Sequence, residues 1–137
     1  MISRRCLLGL VAASLFGAEK RPGAVLRGKL LVRDGRPAAV EAPDHHEVAI
    51  QGDNTTEKVL ADSRLNGYEV EAHGHFTAPD RFEVDPSHTR SLLVRQNGKL
   101  KLITYWCEIC SIRAYTPGPC VCCQRETTLD LRDPEQQ

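Results

Sequence analysis

The segment Leu65–Phe76, which reads LNGYEVEAHGHF, is the most regular stretch of this chain and indicates its fold class. The dipeptide Asn66-Gly67 is typical of a tight turn, and a strict alternation of side chains begins directly after it. Such alternation predicts a β-strand with one face buried and the other facing water. The buried face would carry Val70, Ala72, Gly74 and Phe76, and the solvated polar face Glu69, Glu71, His73 and His75.

Similar short apolar runs lie on both sides of this strand. Gly, Asn, Asp and Pro interrupt them at intervals of about ten residues, which is typical of all-β barrels and sandwiches. Only Thr55–Asp62 favours a helix, with Thr55 or Thr56 as its N-cap. The chain is therefore predicted to be mainly β. Further strands are expected at Val25–Val32, Ala38–Glu41, Glu47–Ile50, Arg81–Val84, Ser91–Arg95 and Lys99–Trp106.

The spacing of Leu65, Gly67, Val70, Ala72 and Gly74 resembles the phrase L-x-G-x-x-V-x-V-x-G of small exported OB-like domains. The resemblance covers Val25 to about Tyr105. It implies a small OB-like barrel of five or six strands with one short helix, over residues 24–106. Residues 107–128 would then form a C-terminal zinc-knuckle extension, and residues 129–137 a polar tail that is frayed from Asp130 onward.

Two cysteine pairs in the extension require a chemical explanation. Cys107-Glu108-Ile109-Cys110 and Cys120-Val121-Cys122-Cys123 form a C-x2-C-x9-C-x2-C pattern, separated by a short alternating run and the turn Thr116–Pro119. Each C-x-x-C pair can present two sulfurs to one tetrahedral ion. We therefore predict a structural zinc site made by Cys107, Cys110, Cys120 and Cys123, with Trp106 shielding the sulfurs. Cys122 is a fifth thiol that is either surplus or replaces Cys120 or Cys123.

Three alternatives remain open for these cysteines. Five thiols would suit a softer ion, so copper or heavy-metal handling is a rival binding function. Two disulfides and one free thiol would also account for five cysteines in an exported protein. Trp106-Cys107-Glu108-Ile109-Cys110 also resembles the W-C-x-x-C motif of thioredoxin-like oxidoreductases, which implies thiol–disulfide exchange by Cys107 and Cys110.

The segment Tyr105–Thr127 is similar to the C-terminal sequence of uncharacterised exported bacterial proteins. The shared pattern is Tyr-Trp-Cys-x-x-Cys-x-Ile-Arg-x-Tyr-Thr-Pro-Gly-x-Cys-x-Cys-Cys-Gln-x-Glu-Thr. It includes a zinc-ribbon-like arrangement of the cysteines. The resemblance implies export and a cysteine-rich C-terminal segment, and it carries no established activity.

The first residues predict export. Arg4 and Arg5 precede an apolar run, Cys6–Gly17, that is too short to span a bilayer, which describes a signal peptide over residues 1–18 and a linker over residues 19–23. Ser3–Leu8 also resembles the twin-arginine signal. We expect a periplasmic or secreted protein without a transmembrane segment in its mature chain.

Charge and motifs narrow the function further. Removal of residues 1–18 takes away two arginines and no acidic residue, so the mature chain has a formal charge of −2. This charge gives no electrostatic reason to expect a nucleic-acid partner. His73 and His75 lie two apart on one face of the predicted strand and could share a copper or zinc ion, but the neighbouring Glu69 and Glu71 favour an ordinary solvated face. The remaining histidines are His45, His46 and His88. The sequence favours a binding or structural module with zinc over an enzyme, and it does not indicate a partner.

Overall fold

The computed structural model describes residues 23–134, so the predicted signal peptide and all but Gly23 of the predicted linker lie outside the described residues. The described part of the chain consists mostly of strands, which confirms the mainly β prediction. Its strands are β1 (Ala24–Leu31), β2 (Ala39–Glu41), β3 (Glu47–Gln51), β4 (Glu69–Ala78), β5 (Arg81–Val84), β6 (Leu92–Gln96), β7 (Lys99–Cys107), β8 (Ile112–Ala114) and β9 (Thr128–Arg132). Its helices are α1 (Asn54–Leu60), the single turn α2 (His88–Ser91) and a 3-10 turn (Ser63–Leu65).

Five strands close into a barrel in the order β1-β2-β3-β5-β4-β1. The neighbours are antiparallel, except for the parallel pair β3–β5. α1 lies in the connection between β3 and β4. This strand order and helix position are those of a small OB-like barrel, as predicted.

Two glycines allow strands of the barrel to approach closely. A Cβ atom on Gly28 of β1 would collide with the backbone carbonyl of Glu41 in β2. A Cβ atom on Gly74 of β4 would collide with the carbonyl of Glu83 in β5. Gly28 lies where β1 passes from its pairing with β4 to its pairing with β2, and such strand crossings in a barrel leave no room for a side chain.

The core lies inside the barrel and beneath α1. From the helix, Thr56, Val59 and Leu60 are buried. Asp53 is the N-cap, since its carboxylate accepts the Thr56 N–H at 2.9 Å, so the prediction of Thr55 or Thr56 as cap is wrong. The largest fully buried apolar side chains of the barrel strands are Leu30, Val40, Ile50, Phe82 and Val84.

The sheet continues beyond the barrel through β6, which pairs with β4, and then β7. β6 and β8 share one edge of β7, and β9 occupies the other. The prediction of a frayed tail from Asp130 is therefore wrong as far as Arg132, because Thr128–Arg132 forms a strand against β7. The physical reason is that Leu129 and Leu131 pack against the core, which local polarity did not indicate.

The side chains of β4 alternate between two faces as predicted, but one residue on each face differs from its predicted burial. Phe76 pairs with buried Phe82 and therefore shares its face, but it lies at the rim of the barrel and is 42% exposed. Glu71 lies on the polar face but is only 6% exposed, so the expectation of a solvated face is wrong there. Side chains from both neighbouring strands cover it, namely Arg27 and Arg95.

Candidate metal centre

The cysteine pairs lie at the end of β7, where the chain makes two tight turns. Cys107 is the last residue of β7, and the turn through Cys110 leads into β8. The second pair follows the Thr116–Pro119 turn and leads towards β9. A bridge between Pro119 and Glu126 closes the second turn at its base. Both turns are thus held by strands that pair with β7.

Each cysteine pair occupies the same kind of turn. In the first, the N–H of Ser111 donates to the carbonyl of Cys107 at 2.8 Å, and Ser111 has a φ of 55°. In the second, the N–H of Gln124 donates to the carbonyl of Cys120 at 2.9 Å, and Gln124 has a φ of 62°. Both residues directly follow the second cysteine of their pair. The sequence pattern C-x-x-C therefore folds twice into one backbone geometry, with a left-handed residue that ends each turn.

The four sulfurs converge. The Sγ atoms of Cys107, Cys110, Cys120 and Cys123 all lie within 4.8 Å of one another, and those of Cys107 and Cys123 are 3.6 Å apart. Thiolates bound tetrahedrally to zinc at about 2.3 Å would be separated by about 3.8 Å. Two disulfides would need only pairwise contact, whereas one metal ion needs the four-way convergence seen here. The cluster is positioned to bind a metal ion.

The cluster has a buried half and an accessible half. Cys107 and Cys120 are 2% and 4% exposed, whereas Cys110 and Cys123 are half-buried. Backbone N–H groups point at the two buried sulfurs: that of Cys110 is 3.4 Å from Cys107 Sγ, and that of Cys122 is 3.4 Å from Cys120 Sγ. Such donors stabilise thiolates without adding a charged side chain.

The thiol pKa values reflect this arrangement. Hydrogen bonds from the backbone N–H groups of Cys123 and Cys122 lower the pKa of Cys120 to about 7. The pKa of Cys110 is raised, first by the neighbouring thiol of Cys122 and then by burial and by the other sulfurs. The lowered pKa favours the thiolate form of Cys120, and metal binding would itself deprotonate the other thiols.

Cys122 does not belong to the converging set, although its thiol is a neighbour of Cys110. It is exposed, and it lies between the buried Cys120 and the half-buried Cys123 in the chain. Cys122 lies outside the set of sulfurs that all come within 4.8 Å of one another. The four sulfurs that come together are those of Cys107, Cys110, Cys120 and Cys123.

The side chain of Trp106 lies on the face of β7 opposite to that of Cys107, which the prediction that it shields the sulfurs did not anticipate. Its ring stacks against the guanidinium of Arg113, which lies 4.7 Å from the ring centroid. The reason is strand alternation: Trp106 precedes Cys107 in β7, so their side chains leave opposite faces of the sheet. Arg113 also pairs with Asp130 at 2.8 Å and thereby joins β8 to β9 across β7.

A polar network fastens the cysteine segment to the barrel. The hydroxyl of buried Tyr105 donates to the carboxylate of Asp62 at 2.9 Å. Arg64 pairs with Asp62 at 3.0 Å, lies 5.1 Å from the centroid of the Tyr105 ring, and donates to the carbonyl of Thr127 at 2.9 Å. Sequence analysis missed Asp62 and Arg64, because their partners are 43 and 63 residues away and no local pattern reveals them.

The loop between the two cysteine pairs is also tied to α2 and to the residue before β9. The Nε2 atom of buried His88 lies 2.7 Å from the carbonyl of Tyr115, and the hydroxyl of Thr127 donates to the carbonyl of Gly118 at 3.0 Å. Of the remaining histidines, His73 lies 3.0 Å from the carboxylate of Glu71 and His45 lies 3.7 Å from that of Glu41. Within residues 23–134, the cysteine cluster is the one group of His, Cys, Asp or Glu side chains that converges as metal ligands do.

The geometry suits a closed metal site better than a redox centre. Four thiolates would complete a tetrahedral coordination sphere and leave no position for a substrate. A thioredoxin-like nucleophile is an exposed thiol at a helix N-terminus, whereas Cys107 is buried at the end of a strand.

Comparisons with family models, with curated proteins and with solved structures give no match for this chain.

Proposed function

We propose that this protein is an exported, non-enzymatic binding or structural module in which Cys107, Cys110, Cys120 and Cys123 hold a structural zinc ion. The observation that carries the proposal is the convergence of the four Sγ atoms within 4.8 Å from two equivalent turns. Zinc is the ion that best matches four thiolates in a closed tetrahedral site.

The position of the site indicates what the ion would do. The first turn joins β7 to β8, and the second leads into β9. In the described part of the chain, β8 and β9 each pair with β7 alone, and β8 is three residues long. An ion that binds both turns would hold two short edge strands in place where the apolar core is small, as structural zinc does in small domains.

Export is the second element of the proposal and rests on the sequence. Arg4 and Arg5 followed by a short apolar run support a signal peptide over residues 1–18, and the C-terminal pattern is similar to that of exported bacterial proteins. Within residues 23–134, no helix combines the length and apolar character needed to cross a bilayer. Metal loading before an oxidising compartment would protect the thiolates, and the partial twin-arginine signal is compatible with that order.

The proposal is tested by the metal content of the mature protein, purified after export without chelator or added metal. Elemental mass spectrometry should find one zinc per chain, and thiol titration of the folded protein should find about one reactive thiol, that of Cys122. Both readouts are needed, because adventitious zinc would leave the other four thiols reactive. A matched Cys122→Ser variant should keep its zinc and lose the reactive thiol.

The rival functions give different results in the same experiment. If the bound ion were copper, the structural zinc function would be wrong and copper handling would be supported instead. If no metal and few reactive thiols were found, the cysteines would form disulfides instead of a zinc site. Thiol–disulfide exchange by Cys107 and Cys110 would then be tested by an insulin-reduction assay. Recovery of the full-length chain from the cytoplasm alone would overturn the export element.

A further inference from the structure

The accessible half of the metal centre carries one more thiol than the site needs. Cys107 and Cys120 are almost fully buried, whereas Cys110 and Cys123 are half-buried and Cys122 is exposed. An ion held by the four converging sulfurs would therefore be more accessible at Cys110 and Cys123, the two cysteines that Cys122 neighbours, than at the buried pair.

The backbone around Cys122 is already arranged for a cysteine close to the ion. Its N–H donates to Cys120 Sγ at 3.4 Å, so the main chain at this residue borders the buried half of the site. Cys122 is also next to both half-buried cysteines: its thiol neighbours that of Cys110, and Cys123 follows it in the chain.

Resting on the proposed zinc site, we propose that Cys122 is an exchange ligand that enables the centre to hand its zinc to an external thiol or nitrogen acceptor. The Cys122 thiol loses its proton to solvent and forms a sulfur–zinc bond as the bond from Cys110 or Cys123 breaks. The released thiolate takes up a proton. Zinc keeps its charge and its coordination by four thiolates, and no oxidant or reductant is involved.

The displaced position is what makes transfer possible. Because Cys122 is exposed, its sulfur would hold the ion at the accessible side of the site while one half-buried cysteine is released. An acceptor can then replace the ligands one at a time, which avoids the barrier of losing a thiolate before a new bond is made. Zinc accommodates a fifth ligand in transition states, so such a stepwise route is chemically accessible.

Transfer kinetics test the proposal directly. The zinc-loaded mature protein is mixed with the chromogenic chelator 4-(2-pyridylazo)resorcinol, and the release of zinc is followed by absorbance. Cys122→Ser should slow release by about tenfold, equivalent to a barrier higher by about 1.4 kcal/mol. Val121→Ser, on a neighbour that is also exposed, is the matched control and should leave the rate unchanged. Equal rates for the wild type and Cys122→Ser would overturn the proposal.

Ligand replacement gives a second, equilibrium readout. Cys123→Ser should retain one zinc per chain with weakened affinity if Cys122 can take the vacant position, whereas the double variant Cys122→Ser/Cys123→Ser should bind at least about tenfold more weakly still. Equal affinities for the single and double variants would show that Cys122 cannot reach the ion, and would overturn the proposal. If the wild type itself held no zinc, the structural zinc site would fail instead, so the two failures are distinguishable.

Discussion

The hydroxyl of Tyr105 donates a hydrogen bond of 2.9 Å to the carboxylate of Asp62, and this contact joins the strand that ends in the metal centre to the turn that follows α1. Tyr105 is fully buried, and the guanidinium of Arg64 covers its ring while pairing with the same carboxylate. The barrel and the cysteine segment are therefore connected by a satisfied polar network as well as by apolar packing.

Tyr105→Phe should destabilise the protein by about 1–2 kcal/mol, because it removes a buried hydrogen bond but retains the ring and its contact with Arg64. Asp62 would keep Arg64 as its partner, so the loss should be smaller than that of a buried unpaired charge. Urea denaturation of the zinc-loaded protein measures the change. Zinc stoichiometry should be unaffected, and a variant as stable as the wild type would show that the hydrogen bond contributes nothing net.

Acid should weaken the same network. Burial of Asp62 raises its pKa, but hydrogen bonds from Arg64 and from Tyr105 outweigh this effect and hold the pKa below its usual value of 3.8. The ionised carboxylate therefore contributes stability that is present above the unfolded-state pKa and is lost as pH falls through the lower folded-state value.

Comparison of the wild type with Asp62→Asn isolates this effect. The free energy of unfolding, measured by denaturant at several pH values below about 5, should fall less steeply for the variant than for the wild type. Both proteins should be measured under metal-free conditions, since protonation of the cysteines would otherwise release zinc in the same range. Identical pH slopes would contradict a lowered pKa for Asp62.

Removal of zinc should loosen the two edge strands selectively. Chelation would free both cysteine turns, and β8 and β9 depend on those turns for their position against β7. Hydrogen exchange should therefore accelerate at Ile112–Ala114 and Thr128–Arg132, while the amides of the closed barrel remain protected. Uniform acceleration over the whole chain would mean instead that the barrel and the metal centre unfold as one unit.

Gly74→Ala should be strongly destabilising. The added Cβ would meet the backbone carbonyl of Glu83, which cannot move without disturbing the pairing of β4 and β5. Overpacking of this kind costs about 1–3 kcal/mol or more. Gly23→Ala, where nothing lies within 4 Å of the new Cβ, is the matched control and should be close to neutral in thermal denaturation.

Local sequence patterns were sufficient to predict most of the individual elements. The alternation in Glu69–Phe76, the turn at Asn66-Gly67 and the equal spacing of the two cysteine pairs each depend on residues within a few positions of one another. Such features follow from side-chain periodicity and from the conformations that glycine and asparagine allow. For the same reason, the four converging cysteines could be named from their spacing alone.

The tertiary structure decided what depends on contacts between distant residues. Pairing of β1 with β4 and of β3 with β5 closes the barrel. Arg27 and Arg95 cover Glu71, which the sequence alone predicts to be solvated. The C-terminal segment reads as a polar tail but forms a strand, because it pairs with β7 while Leu129 and Leu131 pack against the apolar core. Cys122 and Cys123 are adjacent and identical in type, and only the folded turn brings the sulfur of Cys123 into the converging set and leaves Cys122 exposed.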